Sequence, residues 1–332
     1  HRPPRSDADL GYMAIPSAFG LLADTATLIT GRFLSILIFH RVVPEADPLF
    51  PGEMHARRFD HLLDRLKKSW EIVSLGAAIA ELKAGSLRRR CLAITFDDGY
   101  SDNAEVAAPL LQRHGLPATV FVTTGYLGGG RMWNDTIIEA VRRTERKVLQ
   151  LSFMAAETLA VGTIAERRQA ISRLLTAVKH RPAAERVAAC DEVAAVCAAR
   201  LPDDLMMRPE QVRAIAQDGI EIGAHTVSHP ILATLPDAEA QREIGQGKRE
   251  LESLLDRPVG LFAYPNGRPQ TDYLATHVKM VKEAGFDAAV STTWGASGQG
   301  SDLFQLPRFT PWDEQVSRFN LRLVKNLFVR PR

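Results

Sequence analysis

Short apolar segments alternate with amphipathic helical segments along most of this chain, and that alternation limits the folds it can adopt. The apolar segments are hydrophobic along their whole length, which is typical of strands covered on both faces. A glycine follows three of the helical segments where a C-terminal cap belongs: Gly115, Gly219 and Gly285. Strand–helix repetition of this kind predicts an α/β fold with a parallel sheet or barrel. The predicted strands are Leu34–Phe39, Leu92–Phe96, Ala118–Thr123, Ile220–Ala224, Val259–Tyr264, Ala288–Ser291 and Phe304–Leu306. The predicted helices are Ala56–Lys68, Asn103–His114, Pro209–Gln217, Pro236–Leu255 and Asp272–Ala284.

The composition is typical of a folded enzyme. Of the 332 residues, 45% are hydrophobic and 24% are charged. Lys plus Arg (41) against Asp plus Glu (39) gives a net charge of +2, too small for a nucleic-acid binder that relies on bulk charge. Three cysteines do not make a disulfide scaffold, and no apolar run reaches the roughly 18 residues of a membrane span.

Three segments depart from the repeating pattern. Residues 1–30 are predicted to be a partly disordered leader and are a poor match to a secretory signal, whereas 31–332 are predicted to form one domain. The segment at about 135–205 shows no strand pattern and contains more basic than acidic residues. We therefore predict a helical insertion on the flank of the domain, with a separate binding module as the alternative. A basic helix at about 314–328 is predicted to pack on the domain, with contact to an anionic membrane surface as the alternative.

Two adjacent carboxylates follow a predicted strand. Asp97 and Asp98 come directly after the strand that ends at Phe96, and Gly99 allows a sharp turn. In a parallel α/β fold this position faces the mouth of the active site. Neighbouring carboxylates repel each other, so a cation or a shared proton is needed there. The alternative is an Asp-Gly turn in which one carboxylate caps the following helix.

Two histidines follow a second strand at a spacing of four residues. His225 and His229 come after the strand that ends at Ala224, and this spacing suits two imidazoles on one metal ion. Two imidazoles with one carboxylate leave coordination positions open, as in catalytic sites. Such a metal ion activates water and polarises a carbonyl group.

The TFDDG stretch at 95–99 and the HTVSH stretch at 225–229 resemble the first two motifs of the polysaccharide deacetylases of the NodB-homology type, carbohydrate esterase family four. The resemblance covers about residues 34–308 and implies a distorted (β/α)7 barrel. It implies that Asp97 is the catalytic base and that Asp98, His225 and His229 are the metal ligands. The implied metal is a divalent ion, zinc in the first place, with other divalent metals as the alternative. The implied reaction is N-deacetylation of an amino sugar by activated water, with a general acid that protonates the departing amine.

The third motif of that family is altered in this chain. The stretch FAYPNG at 262–267 places Ala263 where an arginine often tethers the base, and Asn266 where an aromatic residue usually lines the groove. Arg308 or Arg41 could supply the missing cation. Asn266 keeps its backbone N–H group, as any residue other than proline does, and this group could donate a hydrogen bond to an oxyanion.

The usual C-terminal histidine motif is missing, and the last histidine of the chain is His277. His40 instead ends the first predicted strand, in a stretch that resembles the opening of the exopolysaccharide (poly-N-acetylglucosamine) deacetylase branch, whose motifs are circularly permuted. Because the first and last strands of a closed barrel are neighbours, we assign His40 as the general acid.

The expected activity is hydrolysis of a non-peptide C–N bond, namely metal-dependent N-deacetylation of a polysaccharide or exopolysaccharide. The alternatives are a hydrolase of another small or lipid-linked sugar amide, and a catalytically silent barrel that binds glycan. The expected partner is an N-acetylated glycan and not a nucleic acid. The expected location is the cytoplasm or the membrane periphery, with the periplasm or the exterior as alternatives. Further candidates for substrate or oxyanion contact are Tyr264, Asn266, Arg308, Trp133 and Trp294.

Overall fold

The structure is a computed structural model that describes residues 33–88, 90–155, 157–311, 313 and 316–329. The predicted leader at 1–30 lies outside the described residues. The strands are β1 (Leu34–Phe39), β2 (Glu71–Ile72), β3 (Cys91–Phe96), β4 (Thr119–Val122), β5 (Val148–Gln150), β6 (Thr158–Ala160), β7 (Glu221–Ala224), β8 (Leu261–Ala263) and β9 (Ala288–Val290). The α-helices are α1 (Ala56–Ser69), α2 (Leu75–Lys83), α3 (Ala108–His114), α4 (Trp133–Arg143), α5 (Ile164–Lys179), α6 (Ala183–Cys197), α7 (Pro209–Gln217), α8 (Asp237–Leu255), α9 (Ala275–Glu283) and α10 (Val316–Asn326).

Seven strands form a parallel sheet in the order β1-β3-β4-β7-β8-β9, and β2 also pairs with β3. Every residue of β1 and of β3 is buried, because helices cover one face of the sheet and barrel side chains fill the other. This explains why their sequences are apolar except for Ser35 and Thr95 and do not alternate. The predicted α/β barrel architecture is therefore confirmed.

A short segment near the C-terminus connects the two edges of the sheet. Leu306 bridges to Val290 of β9, and Phe309 bridges to Leu37 of β1, both in parallel orientation. The sequence predicted a strand over Phe304–Leu306, but this prediction is wrong: the structure has a turn there, and the segment crosses from β9 to β1 with one isolated bridge to each, at Leu306 and at Phe309. Residues between these two bridges are therefore enclosed by the barrel.

The insertion has its own small core, and one part of its prediction is wrong. Helices α4, α5 and α6 pack around a buried apolar cluster. Between α4 and α5 lies an antiparallel hairpin of β5 and β6, whereas the whole segment was predicted to be helical. Each of these strands has three residues, of which only the central leucine (Leu149, Leu159) is buried. Three residues are too few to display a period of two in the sequence.

Helix α10 packs on the barrel through an apolar face. Phe319, Leu323 and Leu327 are buried, and the ring of Phe319 meets Phe309 at 5.8 Å between centroids. The basic side chain of Arg322 lies over Trp294 and binds Asp313. Among the helices that the structure describes, none combines the length and apolarity needed to cross a membrane.

Candidate active site

The register of the sheet brings the predicted site residues to one edge. Phe39 of β1 pairs with Phe96 of β3, so His40 and Asp97 follow neighbouring strands at the same level. Val122 of β4 pairs with Ala224 of β7, which places His225 at the same carboxyl edge. In α/β folds this edge carries the ligand site.

Asp98, His225 and His229 form a cluster whose potential ligand atoms all lie within 4.8 Å of one another. Oδ1 of Asp98 lies 3.3 Å from Nε2 of His225 and 3.4 Å from Nε2 of His229. This oxygen is buried and accepts no hydrogen bond from the described residues. A buried carboxylate oxygen without a donor is costly unless a cation satisfies it. One carboxylate and two imidazoles facing one point therefore fit a divalent metal ion.

The hydrogen bond of His225 and the lowered pKa of His229 suit metal binding. Nδ1 of His225 lies 2.7 Å from the carbonyl oxygen of Ala263, which can only accept a hydrogen bond. Nδ1 therefore carries the proton, and the lone pair of Nε2 is free to face the cluster. Burial lowers the pKa of His229 to about 4, so this imidazole is neutral near pH 7. Burial raises the pKa of Asp98, but the two histidines outweigh it and hold the pKa below its usual range.

The loop between the histidines is held by a residue that the sequence did not indicate. Glu243 of α8 accepts hydrogen bonds from the backbone N–H groups of Val227 and Ser228 at 2.9 and 2.8 Å, and from the Ser228 hydroxyl at 2.7 Å. Thr226 and His229 have positive φ angles of 65° and 55°. Such conformations are costly for residues with side chains and persist where the surroundings fix them.

The second carboxylate, Asp97, is bound by a fully buried arginine. Both terminal nitrogens of Arg308 donate to the two oxygens of Asp97 at 2.7 Å. Nε of Arg308 donates to the carbonyl of Ser291 at 2.9 Å. Burial raises the pKa of Asp97, but the charge of Arg308, followed by that of His225, outweighs it, so the pKa lies below its ordinary value. Asp97 is therefore an oriented, ionised carboxylate.

Of the two arginines that could replace the missing motif cation, the structure selects Arg308. It lies between the two edge bridges of the barrel and reaches Asp97 from the opposite end of the sequence. Nε of Arg41 instead donates to Asp102 at 2.7 Å. The loss of an arginine at Ala263 is thus compensated within the barrel.

The turn after β3 aims Asp98 at the histidines. Asp98 has a φ of 75° and Gly99 a φ of 86°. A Cβ on Gly99 would approach Val122 Cγ1 to 3.3 Å, so both the backbone conformation and the available space favour glycine. Two left-handed residues in succession reverse the chain directly after Asp97, which separates the directions of the two carboxylates.

The carboxylates and histidines line an open cavity of about 360 Å³. His40 is exposed on its wall, and its carbonyl accepts a hydrogen bond from the Asn103 side chain at 2.8 Å. Trp133 and Asn266 also line the cavity, and Asn266 has a φ of 58°.

Two of the aromatic candidates lie outside this cavity. Tyr264 is fully buried and stacks on Tyr273 with 3.8 Å between ring centroids, so its side chain belongs to the core. Trp294 packs on Phe309 at 5.3 Å and under Arg322 at 4.6 Å. The sequence placed both residues in loops or strand ends near the site, but the direction of each side chain depends on its packing partners.

Comparison with known proteins identifies the family. The family model for polysaccharide deacetylase matches residues 84–289. The chain belongs to the polysaccharide deacetylase family. It is 22% identical over 219 residues to YxkH of Bacillus subtilis (strain 168), a polysaccharide deacetylase by name, which covers 66% of this chain. The chain spans about half the length of that curated relative (50%).

Solved deacetylases share the fold of this family member. The deacetylase PplD of Streptococcus pyogenes, in complex with acetate, matches with a TM-score of 0.59 and 18% identity, over 88% of this chain and 98% of that one. IcaB from Ammonifex degensii matches with a TM-score of 0.56 and 18% identity, over 88% of this chain and 96% of that one. The deacetylase domain of BpsB from Bordetella bronchiseptica matches with a TM-score of 0.54 and 16% identity, over 84% of this chain and 96% of that one.

In this member of the polysaccharide deacetylase family, part of the cavity wall comes from the insertion, which the sequence predicted to be a flanking element. The wall residues that the sequence did not indicate are Met132, Asn134, Leu175, Thr176, Lys179, Arg186, Ile231 and Thr292. Four of them, Leu175, Thr176, Lys179 and Arg186, belong to the insertion, and no local pattern in the sequence shows where a helical insertion docks.

Proposed function

We propose that this chain is a zinc-dependent N-deacetylase that removes acetyl groups from N-acetylated amino sugars of an exopolysaccharide or related glycan. One observation carries the proposal: the ligand atoms of Asp98, His225 and His229 converge beside a second, ionised carboxylate, Asp97, on the wall of an open cavity. Zinc is the metal that such a mixed imidazole and carboxylate set binds most often in hydrolases.

The bound ion would polarise the acetyl carbonyl and lower the pKa of a water molecule. Asp97 accepts the proton of the attacking water, and Arg308 keeps this base ionised and oriented. The backbone N–H of Asn266 is the donor that we assign to the oxyanion. His40, exposed on the wall of the same cavity, donates a proton to the departing amine. Acetate and a free amino sugar result.

The relatives support the chemistry that we propose. PplD and the BpsB domain are described as deacetylases, and the PplD structure contains acetate. The alternative of a silent glycan-binding barrel rested on two altered positions, Ala263 and Asn266. Arg308 argues against that alternative because it binds both oxygens of Asp97.

The test is acetate release from a panel of N-acetylated glycans by the zinc-loaded protein and by Asp97→Asn. We expect release by the wild type and a rate at least about 100-fold lower in the variant, because a general base contributes that much. Asp64→Asn removes an exposed carboxylate on α1 and serves as the matched control. Equal rates in wild type and Asp97→Asn would overturn the mechanism, and no release from any glycan would overturn the function.

A further inference from the structure

The insertion brings two cationic side chains to the cavity that holds the metal cluster. Lys179 is the last residue of α5, and Arg186 lies in the first half of α6. Both are half-buried and both line the same cavity as Asp98 and His225. A docked helical element therefore adds positive charge to the wall of the proposed active site.

Within the described part of the chain, neither Lys179 nor Arg186 forms an ion pair with a carboxylate. Other arginines of the same insertion do have such partners: Arg142 and Arg143 bind Glu139 at 2.9 Å, and Arg173 binds Glu157. Other cations of the insertion also lack a carboxylate partner among the described residues, and Arg167, Arg168 and Arg181 donate to backbone carbonyls instead. What distinguishes Lys179 and Arg186 is their position on the cavity wall.

The acidic groups of the cavity are already engaged. Asp97 is bound through both oxygens by Arg308, and Asp98 faces the two histidines. No further carboxylate lines this cavity among the residues that the structure describes. Lys179 and Arg186 therefore remain available for a negative charge brought by a ligand.

Arg186 also lies next to the aromatic residue of the cavity wall. Its guanidinium carbon is 5.6 Å from the centre of the Trp133 ring, which limits the positions that the guanidinium adopts. A tryptophan beside a fixed guanidinium is suited to a sugar ring that carries an anionic group, because the guanidinium binds carboxylate or phosphate oxygens in pairs.

We infer that the substrate is an anionic glycan, in which a carboxylate or phosphate group lies next to the N-acetylated sugar and is bound by Lys179 and Arg186. This inference rests on the proposed function and narrows its substrate class. The anion has two chemical sources, an adjacent uronic acid and a phosphate ester of the acetylated sugar itself.

The experiment compares matched substrates that differ only in the charged group. One pair is N-acetylglucosamine linked either to glucose or to glucuronic acid; the other is N-acetylglucosamine with or without a 1-phosphate. We expect kcat/KM to be about tenfold higher for the anionic member of at least one pair, because two partly exposed ion pairs together strengthen binding by about that factor. The pair that shows the preference identifies the source of the anion. The preference should decline as salt is added.

The variants assign that preference to the two side chains. Lys179→Ala/Arg186→Ala should bring the ratio of kcat/KM for anionic over neutral substrate to within about twofold of one, and Lys179→Arg, which keeps the charge and leaves the Arg186 guanidinium in place, should retain most of the wild-type ratio. Lys279→Ala removes one exposed charge on α9 and should leave the ratio unchanged. A wild-type ratio of one or less, or a ratio that the alanine variant does not change, would overturn the inference.

Failure of the inference and failure of the function give different results. Equal turnover of both members of each pair contradicts only the anionic substrate. Absence of acetate release from all substrates contradicts the function as well. Calorimetric titration of Asp97→Asn with each pair adds a readout without turnover, in which the anionic member should bind about tenfold more tightly.

Discussion

Replacing Arg308 with methionine would remove the counter-ion of a carboxylate that has almost no contact with solvent. The side chain of Arg308 is 0% exposed and that of Asp97 is 3% exposed. The substitution abolishes two charge-assisted hydrogen bonds of 2.7 Å and leaves the Ser291 carbonyl without its donor. Leaving one member of a buried ion pair uncompensated costs about 3–5 kcal/mol in the free energy of unfolding.

The assay is urea unfolding followed by tryptophan fluorescence, together with acetate release. Arg308→Met should be about 3–5 kcal/mol less stable than the wild type, out of the about 5–15 kcal/mol typical of a folded domain. It should also lose most turnover, because Asp97 is no longer held in its orientation. Arg308→Lys keeps the charge but not the paired hydrogen bonds, so its stability should lie between the two.

A double-mutant cycle separates the ion pair from general packing. If Arg308 acts as the counter-ion of Asp97, the double variant Arg308→Met/Asp97→Asn no longer buries an uncompensated charge, so its loss should be smaller than the sum of the single losses by about 2 kcal/mol. Additive losses, or a loss below about 1 kcal/mol in Arg308→Met, would contradict the role of Arg308 as the counter-ion of Asp97.

Three further predictions concern the acid, the metal and pH. His40→Ala should retain bound zinc yet release acetate about 100-fold or more slowly, while the exposed His61→Ala on α1 serves as the control; wild-type turnover in His40→Ala would refute the assignment of the acid. Dialysis against a chelator should abolish acetate release and added Zn²⁺ should restore it, so activity that persists after chelation would contradict a metal-dependent mechanism. Burial raises the pKa of Asp135 to about 6, from an ordinary 3.8, so the folded state favours the protonated form and loses stability as pH rises through about 6. Unfolding measured from pH 4 to 7 should show the stability of Asp135→Asn rising relative to the wild type by about 2 kcal/mol, and a difference that stays constant over this range would contradict the buried, protonated state.

The sequence predicted the elements whose signal is local. Strand β1 and helix α7 have the predicted bounds. The buried strand β1 is apolar at every position but Ser35, and α7 begins with a proline and is followed by a glycine after Asp218. The positions of Asp97, Asp98, His225 and His229 at strand ends also follow from local pattern, because the carboxyl ends of parallel strands meet at one edge.

Features that depend on distant contacts were not predictable. The choice between Arg308 and Arg41 depended on how the barrel closes, because Asp97 and Arg308 are 211 residues apart in the sequence. In the sequence, Glu243 does not differ from the other acidic residues of an amphipathic helix. Its role depends on the packing of α8 against the loop between the two histidines. The approach of Lys179 and Arg186 to the cavity depends on the packing of the whole insertion.

The most direct test of the central claim is calorimetric titration of the metal-free protein with Zn²⁺. One ion should bind per chain, and the affinity should fall by more than about 100-fold in Asp98→Asn and in His229→Gln. His114→Gln, at a histidine that lies outside the cluster beside Asp60, should bind zinc as the wild type does. Unchanged zinc affinity in the Asp98 and His229 variants would contradict the account.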